Sequence, residues 1–502
     1  MNIFETIKEE TDIHLHRIAV IEGQCRISYG ELIVAAEQVA ELLRCKGVCS
    51  FHRIGLLCDD SIDYIIASLA ILSLSAAIVP FSPEQTSEEI ATVIDRIDVD
   101  FIVAEPRLLA PIYGIRALTK IFSVKKEQKT ASDLLKNEQH ALLSSTGFIN
   151  KEFIIAQRTV TASPPAGYFS SNPAFIRFSS GTTGTSKGVV LSHEAIIDRT
   201  DAADKGMQIT SEDTVLWVLS MSYHFVVTIL LFLRRGATIV LCSHRFPEAL
   251  LEGIVVHRGT FIYASPFHYS LLSRTDLLAG DSLQQVRMAI STAMKLPEQI
   301  AEAFFGKFGF ELTEAYGIIE VGLPIINLSG GRDKRGSVGR ALPDFELMLD
   351  TMDADGVREI FIKGKGMLDA YFSPWRGRDE ILQSGWFTTG DLGKLDADGF
   401  LYIVGRDKDV INFAGMKIFA QEVESVINQH PHVKESLVYG APHSQYGELP
   451  IAKVVLLDEN DDDAVLDNLR RFCYQRLAQY KVPKEFQSVD DLPKTASGKI
   501  MR

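Results

Sequence analysis

FSSGTTGTSKG, at residues 178–188 of this 502-residue chain, is the stretch from which the fold can be predicted. Apolar runs flank it at 174–176 and 189–191, and each is typical of a buried strand. Its glycines let backbone N–H groups approach phosphate oxygens, its hydroxyls donate further hydrogen bonds, and Lys187 adds a positive charge. The stretch therefore predicts a phosphate-binding loop between two strands. It differs from a Walker A loop, in which glycine directly precedes the lysine, and a flexible linker would seldom join two buried strands.

Composition limits the classes of protein to which the chain can belong. It is 46% hydrophobic and 23% charged, as in ordinary globular proteins. The length predicts more than one domain, because single cores stop growing at about 250–300 residues. A net charge of −14 argues against non-specific binding to nucleic acid or anionic membranes. Six cysteines without a completed zinc pattern, and an N-terminus without an apolar leader, favour a reducing, cytoplasmic location.

Two uncharged runs, at 64–81 and 215–233, approach the length of a membrane span. The first contains three serines and ends at Pro80-Phe81, which predicts a buried helix, a turn and a buried strand. The second carries two serines and His224, which are costly in lipid, and it predicts a strand, a turn and a helix. We therefore expect core elements and no integral membrane span.

Helical and strand periods alternate along most of the chain. A first helix has apolar residues at helical spacing and a plausible end at Gly47; the stripe consists of Leu32, Ala36, Val39 and Leu43. Short β-rich runs follow at 53–57, 77–79 and 101–103. The alternation predicts parallel α/β units. After about residue 330, strands separated by Asp-Gly turns at 355–356 and 398–399 predict hairpins or a small β-barrel. We place a domain boundary between residues 407 and 408.

The 178–188 stretch resembles the phosphate-binding signature of the adenylate-forming superfamily. That superfamily includes acyl-CoA synthetases, luciferase-type enzymes and the adenylation domains of peptide synthetases, and it usually has proline where Ser186 stands. Further signatures follow in the family's order over nearly the whole chain. The resemblance implies a large N-terminal domain of α/β layers plus a small β-barrel, over 1–407, and a small mobile α+β domain, over 408–502. It also implies that ATP phosphates bind Lys187 and the loop residues Ser179, Ser180, Gly181, Thr182, Thr183 and Gly184.

Two further segments resemble the adenine side of the family's site. Residues 314–320 read EAYGIIE and are similar to the family's Y-G-x-T-E. The resemblance implies that Tyr316 stacks on adenine and that Glu320 binds Mg²⁺, a hard cation that prefers oxygen ligands. Ile319 stands where threonine is expected, so one hydroxyl near the α-phosphate is missing. Residues 291–297 resemble the adenine-side loop. The other nucleotide-binding candidates here are Thr292, Ala293, Met294, Glu314, Ala315 and Gly317.

The ribose and hinge signatures lie between residues 386 and 408. WFTTGD, at 386–391, matches the family's G-D, which implies that Asp391 accepts the ribose hydroxyls. GRDK, at 405–408, resembles the hinge signature, in which Arg406 also reaches the ribose and the chain rotates about Lys408. Taken singly, a turn aspartate and a surface ion pair are the alternatives. The order and spacing of the two motifs favour the functional interpretation.

Two segments beyond the hinge complete the resemblance. Residues 412–418 are similar to the mobile hairpin, in which Gly415 lines the path of the incoming acceptor. Residues 493–502 resemble the terminal loop with the family's catalytic lysine, here Lys499. A frayed basic tail is the alternative, but the Thr, Ser and Gly around Lys499 favour a loop that delivers the lysine.

The sequence predicts part of the pocket that binds the carboxylic acid. Residues 222–225, Ser-Tyr-His-Phe, lie where amino-acid-activating relatives place an aspartate for the substrate ammonium, and no carboxylate occurs among them. We therefore expect a mostly apolar acid (aryl, alicyclic or fatty) rather than an α-amino acid. His224 either gates the pocket or is a satisfied buried histidine. The pocket candidates are Tyr223, His224, Phe225, Ile318, Ile319 and Leu323.

The resemblance implies an ATP-dependent, AMP-forming ligase that needs Mg²⁺. Attack of a carboxylate on ATP brings two anions together, so preorganised cations must offset their repulsion. Lys187, Lys499 and Mg²⁺ on Glu320 are the candidates. CoA is the expected acceptor, and a monomer or homodimer is expected. Three alternatives stay open: an amide-forming ligase, an adenylation enzyme that loads a separate carrier protein, and a nucleotide-binding regulator without activity.

Overall fold

A computed structural model describes residues 1–108, 118–124, 151–158, 162–178, 187–243, 245–329, 331–350, 356–414, 416–457, 462–494 and 500–501. The chain divides into two units. The first unit consists of Met1–Leu328, Leu342–Phe345 and Gly364–Gly385, and the second of Ser329–Ala341, Glu346–Lys363 and Trp386–Arg502. The domain boundary at 407/408 falls inside the second unit and stays a prediction.

The first unit is built from α/β layers, as the alternation of helical and strand periods predicts. Its helices are α1 (Ile3–Glu10), α2 (Tyr29–Cys45), α3 (Ile62–Ser73), α4 (Ser87–Ile97), α5 (His193–Met207), α6 (Met221–His224), α7 (Leu230–Arg234), α8 (Glu248–Val255), α9 (Pro266–Arg274), α10 (Glu298–Phe308) and α11 (Arg378–Ile381). Helix α2 shows how the sequence sets the bounds. Ser28 and Glu31 form a capping box at its start, the predicted stripe is buried, and Gly47 has φ +96° just beyond its end.

Two sheets carry this unit. In order across the first sheet, the strands are β20 (Arg376–Gly377), β19 (Ala370–Phe372), β9 (Gly188–Ser192), β8 (Pro173–Phe178), β4 (Ala77–Phe81), β3 (Arg53–Leu57), β5 (Phe101–Ala104), β7 (Phe153–Arg158) and β6 (Leu118–Val124). In the second they are β15 (Gly322–Ile326), β14 (Thr313–Ile318), β13 (Met288–Ser291), β12 (Phe261–Ala264), β10 (Thr214–Trp217), β11 (Thr238–Leu241), β1 (Ile18–Glu22) and β2 (Cys25–Ser28).

Strand direction places the predicted phosphate loop. Strands β3, β4, β5 and β8 are parallel neighbours. Their carboxyl ends therefore meet at one edge of the first sheet, and β8 ends at Phe178, directly before the loop at 179–186. The carboxyl edge of parallel strands is where α/β folds bind ligands.

Both uncharged runs belong to the core. The run at 64–81 forms most of α3 and then β4, and the run at 215–233 forms β10, α6, a π-helical turn (Phe225–Ile229) and α7. Nearly all of their residues are buried. Across the described part of the chain, no helix is both long enough and apolar enough to cross a membrane.

The second unit contains an antiparallel hairpin sheet and an α+β segment. The first of its sheets has the order β17 (Phe345–Leu349), β18 (Arg358–Gly364), β21 (Phe387–Leu395), β22 (Leu401–Arg406). Hairpins are present as predicted, but the described strands do not close into the expected barrel, because four strands are too few to surround a filled interior. A short strand, β16 (Arg340–Ala341), precedes them.

The C-terminal segment of the second unit has its own sheet and core. Its sheet has the order β24 (Met416–Phe419), β23 (Val410–Phe413), β26 (Gly447–Leu456), β25 (Val433–His443), and β27 (Glu485–Ser488) lies parallel to β26. Helices α12 (Ala420–Ile427) and α13 (Asp462–Tyr474) complete it. Buried residues such as Val423, Val454 and Phe486 form one apolar cluster between them.

Candidate active site

The first unit brings two predicted catalytic side chains to a single tyrosine, Tyr371. Strand β19 pairs antiparallel with β9, so that Tyr371 lies opposite Val189, two residues beyond Lys187. The Lys187 ammonium lies 4.9 Å from the centre of the Tyr371 ring, and the Tyr371 hydroxyl donates to Glu320 Oε1 at 3.4 Å. Tyr371 is absent from the predicted site because its hydroxyl reaches Glu320 only through the pairing of distant strands.

Backbone contacts hold the Glu320 segment in place. The Leu368 N–H donates to the Glu320 carbonyl at 2.7 Å, and Arg199 Nη1 donates to the Ile319 carbonyl at 3.1 Å. Arg199 is 0% exposed, and burial lowers its pKa to about 9. Its other nitrogens donate to the Gly366 carbonyl at 2.9 and 2.6 Å. Gly366 has φ +67°, and a Cβ there would lie 2.3 Å from the Arg199 backbone nitrogen, so this approach requires glycine.

Tyr371 is held in its protonated form. Burial raises its pKa, and the nearby negative charge of Glu320 raises the pKa further. The phenol therefore stays a donor at neutral pH, and Glu320 stays the acceptor. The Tyr371 hydroxyl thereby orients one oxygen of the Glu320 carboxylate.

The residues around Glu320 fit a magnesium ion that the substrate helps to hold. Mg²⁺ is commonly bound by one or two carboxylates together with substrate phosphates and water. Glu320 supplies one carboxylate, and Lys187 lies nearby at the end of the predicted phosphate loop. In the described residues, no group of three or more His, Cys, Asp or Glu side chains forms a self-sufficient metal cage. That donor chemistry suits a metal brought in with ATP.

The two adenine-side segments lie next to each other in the second sheet. Strands β13 and β14 are parallel, with Ser291 opposite Glu314. The residues that follow this pair in each chain direction therefore lie near the same edge of the sheet. After Ser291 they are Thr292, Ala293 and Met294, and after Glu314 they are Ala315, Tyr316 and Gly317. Gly317 is required by packing, since a Cβ there would lie 2.5 Å from the Gly322 carbonyl oxygen.

The predicted acid-pocket segment begins with α6 and continues as the π-helical turn, a feature that is common at functional sites. The His224 ring lies 6.0 Å from the Trp217 ring and 6.3 Å from the Tyr263 ring, and these two rings stack at 5.5 Å. Phe225 packs edge-on against Tyr64 at 5.6 Å. Aromatic rings thus surround the segment, and Leu323 is buried as well. Ile318 is the last residue of β14, Ile319 begins the turn that contains Glu320, and both isoleucines are half-buried.

Tertiary structure adds two charged side chains to this segment. Asp60 Oδ1 accepts the Met221 N–H at 2.8 Å. The Arg177 guanidinium donates to the Tyr223 carbonyl and lies 5.4 Å from the centre of the Tyr223 ring. No motif contains Asp60, so the sequence holds no signal for it. Arg177 could have been singled out as a charged residue in an otherwise apolar strand.

In the second unit, Asp391 and Arg406 lie opposite each other on β21 and β22, and Arg406 Nε lies 2.9 Å from Asp391 Oδ1. Asp391 is 4% exposed, and its N–H donates to the Thr389 hydroxyl at 3.1 Å. Gly390 has φ +70° in the same turn. A buried carboxylate beside an exposed arginine is well suited to accept hydroxyl groups of a ligand.

The predicted hinge lies in a short 3₁₀ turn, Asp407–Asp409, between β22 and β23. Lys408 is exposed there. Near the end of the chain, Lys494 pairs with Ile500, so the ends of the predicted lysine loop meet. The following predicted site residues lie outside the described residues: Ser179, Ser180, Gly181, Thr182, Thr183, Gly184, Gly415 and Lys499.

Known proteins resemble this chain over its whole length. A family model for AMP-binding enzymes matches residues 8–372, and a model for their C-terminal domain matches 422–499. The chain is 26% identical to a long-chain-fatty-acid–CoA ligase of Bacillus subtilis (strain 168), over 95% of this chain and 89% of that protein. It is also 26% identical to an indoleacetate–CoA ligase of Aromatoleum aromaticum, over 100% of this chain and 97% of that protein.

Among solved structures, an ATP-bound RpMatB–BxBclM chimera matches with a TM-score of 0.84 at 25% identity, covering 100% of this chain and 97% of that chain. The first family model spans Lys187, Glu320 and Tyr371, and the second includes Lys499. The chain therefore belongs to the AMP-binding enzymes of the adenylate-forming superfamily, and it is an ATP-dependent ligase of the acyl-CoA synthetase type.

Proposed function

We propose that this enzyme activates a mostly apolar carboxylic acid as its acyl adenylate and transfers the acyl group to CoA. The observation that carries the proposal is the cluster of Lys187, Tyr371 and Glu320. The aromatic lining of the His224 segment supports an aryl, alicyclic or fatty acid. The named substrates of the two relatives, a long-chain fatty acid and indoleacetate, are of this kind.

In the first half-reaction, an oxygen of the acid carboxylate attacks the α-phosphorus of ATP. The bond from that phosphorus to the bridging oxygen breaks, and pyrophosphate leaves with the bond's electron pair. Lys187 and Lys499 offset the charge of the approaching anions. Glu320, oriented by Tyr371, would hold Mg²⁺, which neutralises phosphate charge when it is bound. Displacement of this kind depends mainly on positioning.

Two groups of residues contact the adenosine part of ATP in this proposal. Tyr316 stacks on the adenine, with Glu314, Ala315, Gly317, Thr292, Ala293 and Met294 beside it. Asp391 accepts the ribose hydroxyls, and Arg406 assists it. None of these contacts is made with the acid, so they anchor AMP equally in both half-reactions.

In the second half-reaction, the sulfur of CoA attacks the acyl carbonyl carbon beside Gly415. The thiol loses its proton, the bond to the AMP oxygen breaks, and AMP leaves as the thioester forms. Rotation about Lys408 would remove Lys499 and admit the thiol. All six cysteines are free thiols, which suits a reducing cytoplasmic setting in which ATP and CoA are available.

Product analysis tests this proposal. Purified enzyme is offered ATP, Mg²⁺, a panel of acids and, in separate reactions, CoA, amino acids or a carrier protein. We expect acid-dependent pyrophosphate exchange with apolar acids and a thioester product with CoA. Fastest exchange with an α-amino acid would contradict the apolar pocket. An amide as the main product would assign the enzyme to the amide-forming ligases, and acylation of only the carrier protein would assign it to the carrier-loading enzymes.

A further inference from the structure

We infer that Arg177 is an additional anion-binding residue of the active site and that its ligand is the phosphate chain of ATP and the pyrophosphate formed from it. This inference rests on the proposed function. It concerns a residue outside every motif described above, and it starts from the position of Arg177 in β8.

Arg177 is the second-last residue of β8, and the predicted phosphate loop begins directly after that strand. Because β8 runs parallel to β4, the Arg177 side chain lies near the edge where the carboxyl ends of the parallel strands meet. Glu320, the proposed magnesium ligand, is the largest charge acting on Arg177. The guanidinium therefore lies near the proposed phosphate-binding residues.

Arg177 forms no ion pair within 4 Å in the described residues, although the charge of Glu320 acts on it from farther away. The residues that follow β8 in the sequence, 179–186, are Ser, Gly and Thr only, so this stretch contains no carboxylate that could pair with Arg177. The guanidinium has a backbone carbonyl and an aromatic ring of Tyr223 as partners, and its Nε atom is buried without a hydrogen-bond partner among the described residues. Burial lowers the pKa of Arg177, and the negative charge of Glu320 offsets only part of this effect.

Four other arginines of the first unit have different partners; Arg53, Arg199 and Arg234 are buried, and the Arg158 side chain is 10% exposed. Three of them pair with a carboxylate, at distances of 2.9, 3.1 and 2.6 Å; they are Arg53 with Asp100, Arg158 with Asp98 and Arg234 with Glu10. Arg199 instead directs its guanidinium at backbone carbonyls. Because a buried donor without a partner is costly, the buried, unused Nε of the partly buried Arg177 is best explained by an anionic ligand at this active site.

A small cavity of about 30 Å³ borders Arg177 and provides room for such a ligand's oxygen atoms. Ser82, Gln85 and Tyr223 contribute polar groups to its wall. A bound phosphate suits this site because the planar guanidinium forms paired hydrogen bonds with phosphate oxygens. The carboxylate of the acid is the other anion in the reaction. We favour phosphate because the strand that carries Arg177 leads into the phosphate loop.

The test compares Arg177→Met, Arg177→Lys and a matched control, Arg158→Met. Arg158 lies on β7 of the same sheet and also has a buried, unpartnered Nε, but its charge is neutralised by Asp98 and Asp95. Binding of pyrophosphate and, separately, of the acid is measured by calorimetric titration and by the shift in melting temperature. Pyrophosphate exchange is then measured at increasing pyrophosphate concentration.

We expect Arg177→Met to weaken pyrophosphate binding about tenfold or more, as for loss of a charged hydrogen bond. The affinity of Arg177→Met for the acid should change less than about twofold. The pyrophosphate affinity of Arg177→Lys should lie between those of Arg177→Met and the wild type, and Arg158→Met should bind pyrophosphate like the wild type. Unchanged pyrophosphate binding in folded Arg177→Met would overturn the inference. Weakened acid binding with intact pyrophosphate binding would also overturn it, by assigning the acid carboxylate as the ligand.

The inference and the proposed function fail in different ways. If no acid supports exchange in the wild type, the proposed function is wrong, whereas direct titration with pyrophosphate still tests Arg177. If Arg177→Met does not fold, the Lys variant supplies the comparison, because it keeps the charge and loses the paired hydrogen bonds.

Discussion

The Tyr371 side chain contacts two residues of the candidate active site, Lys187 and Glu320. The ring face lies under the Lys187 ammonium, and the hydroxyl donates to Glu320. Cation–ring and charged hydrogen-bond contacts of this kind each contribute roughly 0.5–3 kcal/mol. Tyr371 thus contacts both the lysine that we propose to bind phosphate and the proposed magnesium ligand, which directly follows Ile319 in the chain.

This arrangement predicts a graded loss at Tyr371. Tyr371→Phe keeps the ring and removes the hydroxyl, so the exchange rate should fall about tenfold and half-saturation should need more Mg²⁺. Tyr371→Leu also removes the ring face and should cost more. Exchange at several Mg²⁺ concentrations measures both effects, and Mn²⁺ binding followed by electron paramagnetic resonance reports the metal without turnover. Equal exchange rates and equal Mg²⁺ dependence in Tyr371→Phe and the wild type would show that the hydroxyl has no role.

At the scale of elements, α5 connects the N-terminus with the active site. At its start, His193 is 0% exposed, and its Nδ1 accepts the Ile3 N–H of α1 at 3.3 Å. Six residues further on, the Arg199 guanidinium donates to the Ile319 carbonyl, directly before Glu320. The N-terminal amine also pairs with Glu194 at 2.9 Å. Helix α5 therefore contacts both the N-terminal helix and the segment before Glu320.

His193 predicts a loss of stability in acid. Burial lowers its pKa from 6.5 to about 4. The unfolded chain therefore binds the proton more tightly, so stability is full above pH 6.5 and falls as the pH drops from 6.5 towards 4, by about 3 kcal/mol. Urea unfolding between pH 8 and 4 measures this. His193→Gln, which cannot be protonated, should flatten the pH dependence, and an unchanged slope in that variant would contradict the assignment.

At the scale of the whole molecule, the proposed mechanism needs two arrangements of one chain. In that mechanism the lysine loop serves adenylation and the acceptor path serves transfer, so the same adenylate contacts two different sets of groups. Movement about a short exposed turn is the usual means by which proteins alternate such arrangements. The Asp407–Asp409 turn, which contains Lys408, is exposed and short, and it joins two sheets.

Restriction of this turn should separate the half-reactions. Proline fixes φ near −65° and removes the N–H, so Lys408→Pro should retain pyrophosphate exchange and lose transfer from acyl adenylate to CoA. Lys408→Ala should be nearly silent. Lys499→Ala should give the reverse pattern, with exchange reduced about 100-fold or more and transfer from synthetic acyl adenylate retained. Equal loss of both half-reactions in the proline variant, together with a lower melting temperature, would indicate a folding defect instead.

The sequence by itself determined the family, the α/β class, several strands to within two residues, and the order of the motifs. These properties depend on local composition: alternating apolar periods form strands and helices wherever they occur, and a glycine-rich stretch with hydroxyls and a lysine has few other uses. For the same reason both uncharged runs could be assigned to the core.

Only the tertiary structure decided which side chains meet. Tyr371, Arg199, Asp60 and Arg177 reach the predicted site from positions that no motif marks, through strand pairings and helix packing between residues more than 40 positions apart. The pairing of the four hairpin strands in the described residues, where a small barrel was expected, depended likewise on tertiary structure. Such contacts follow from the register of a whole sheet, and a single sequence carries that register as the sum of many weak preferences, whereas a motif carries its chemistry in a few adjacent residues.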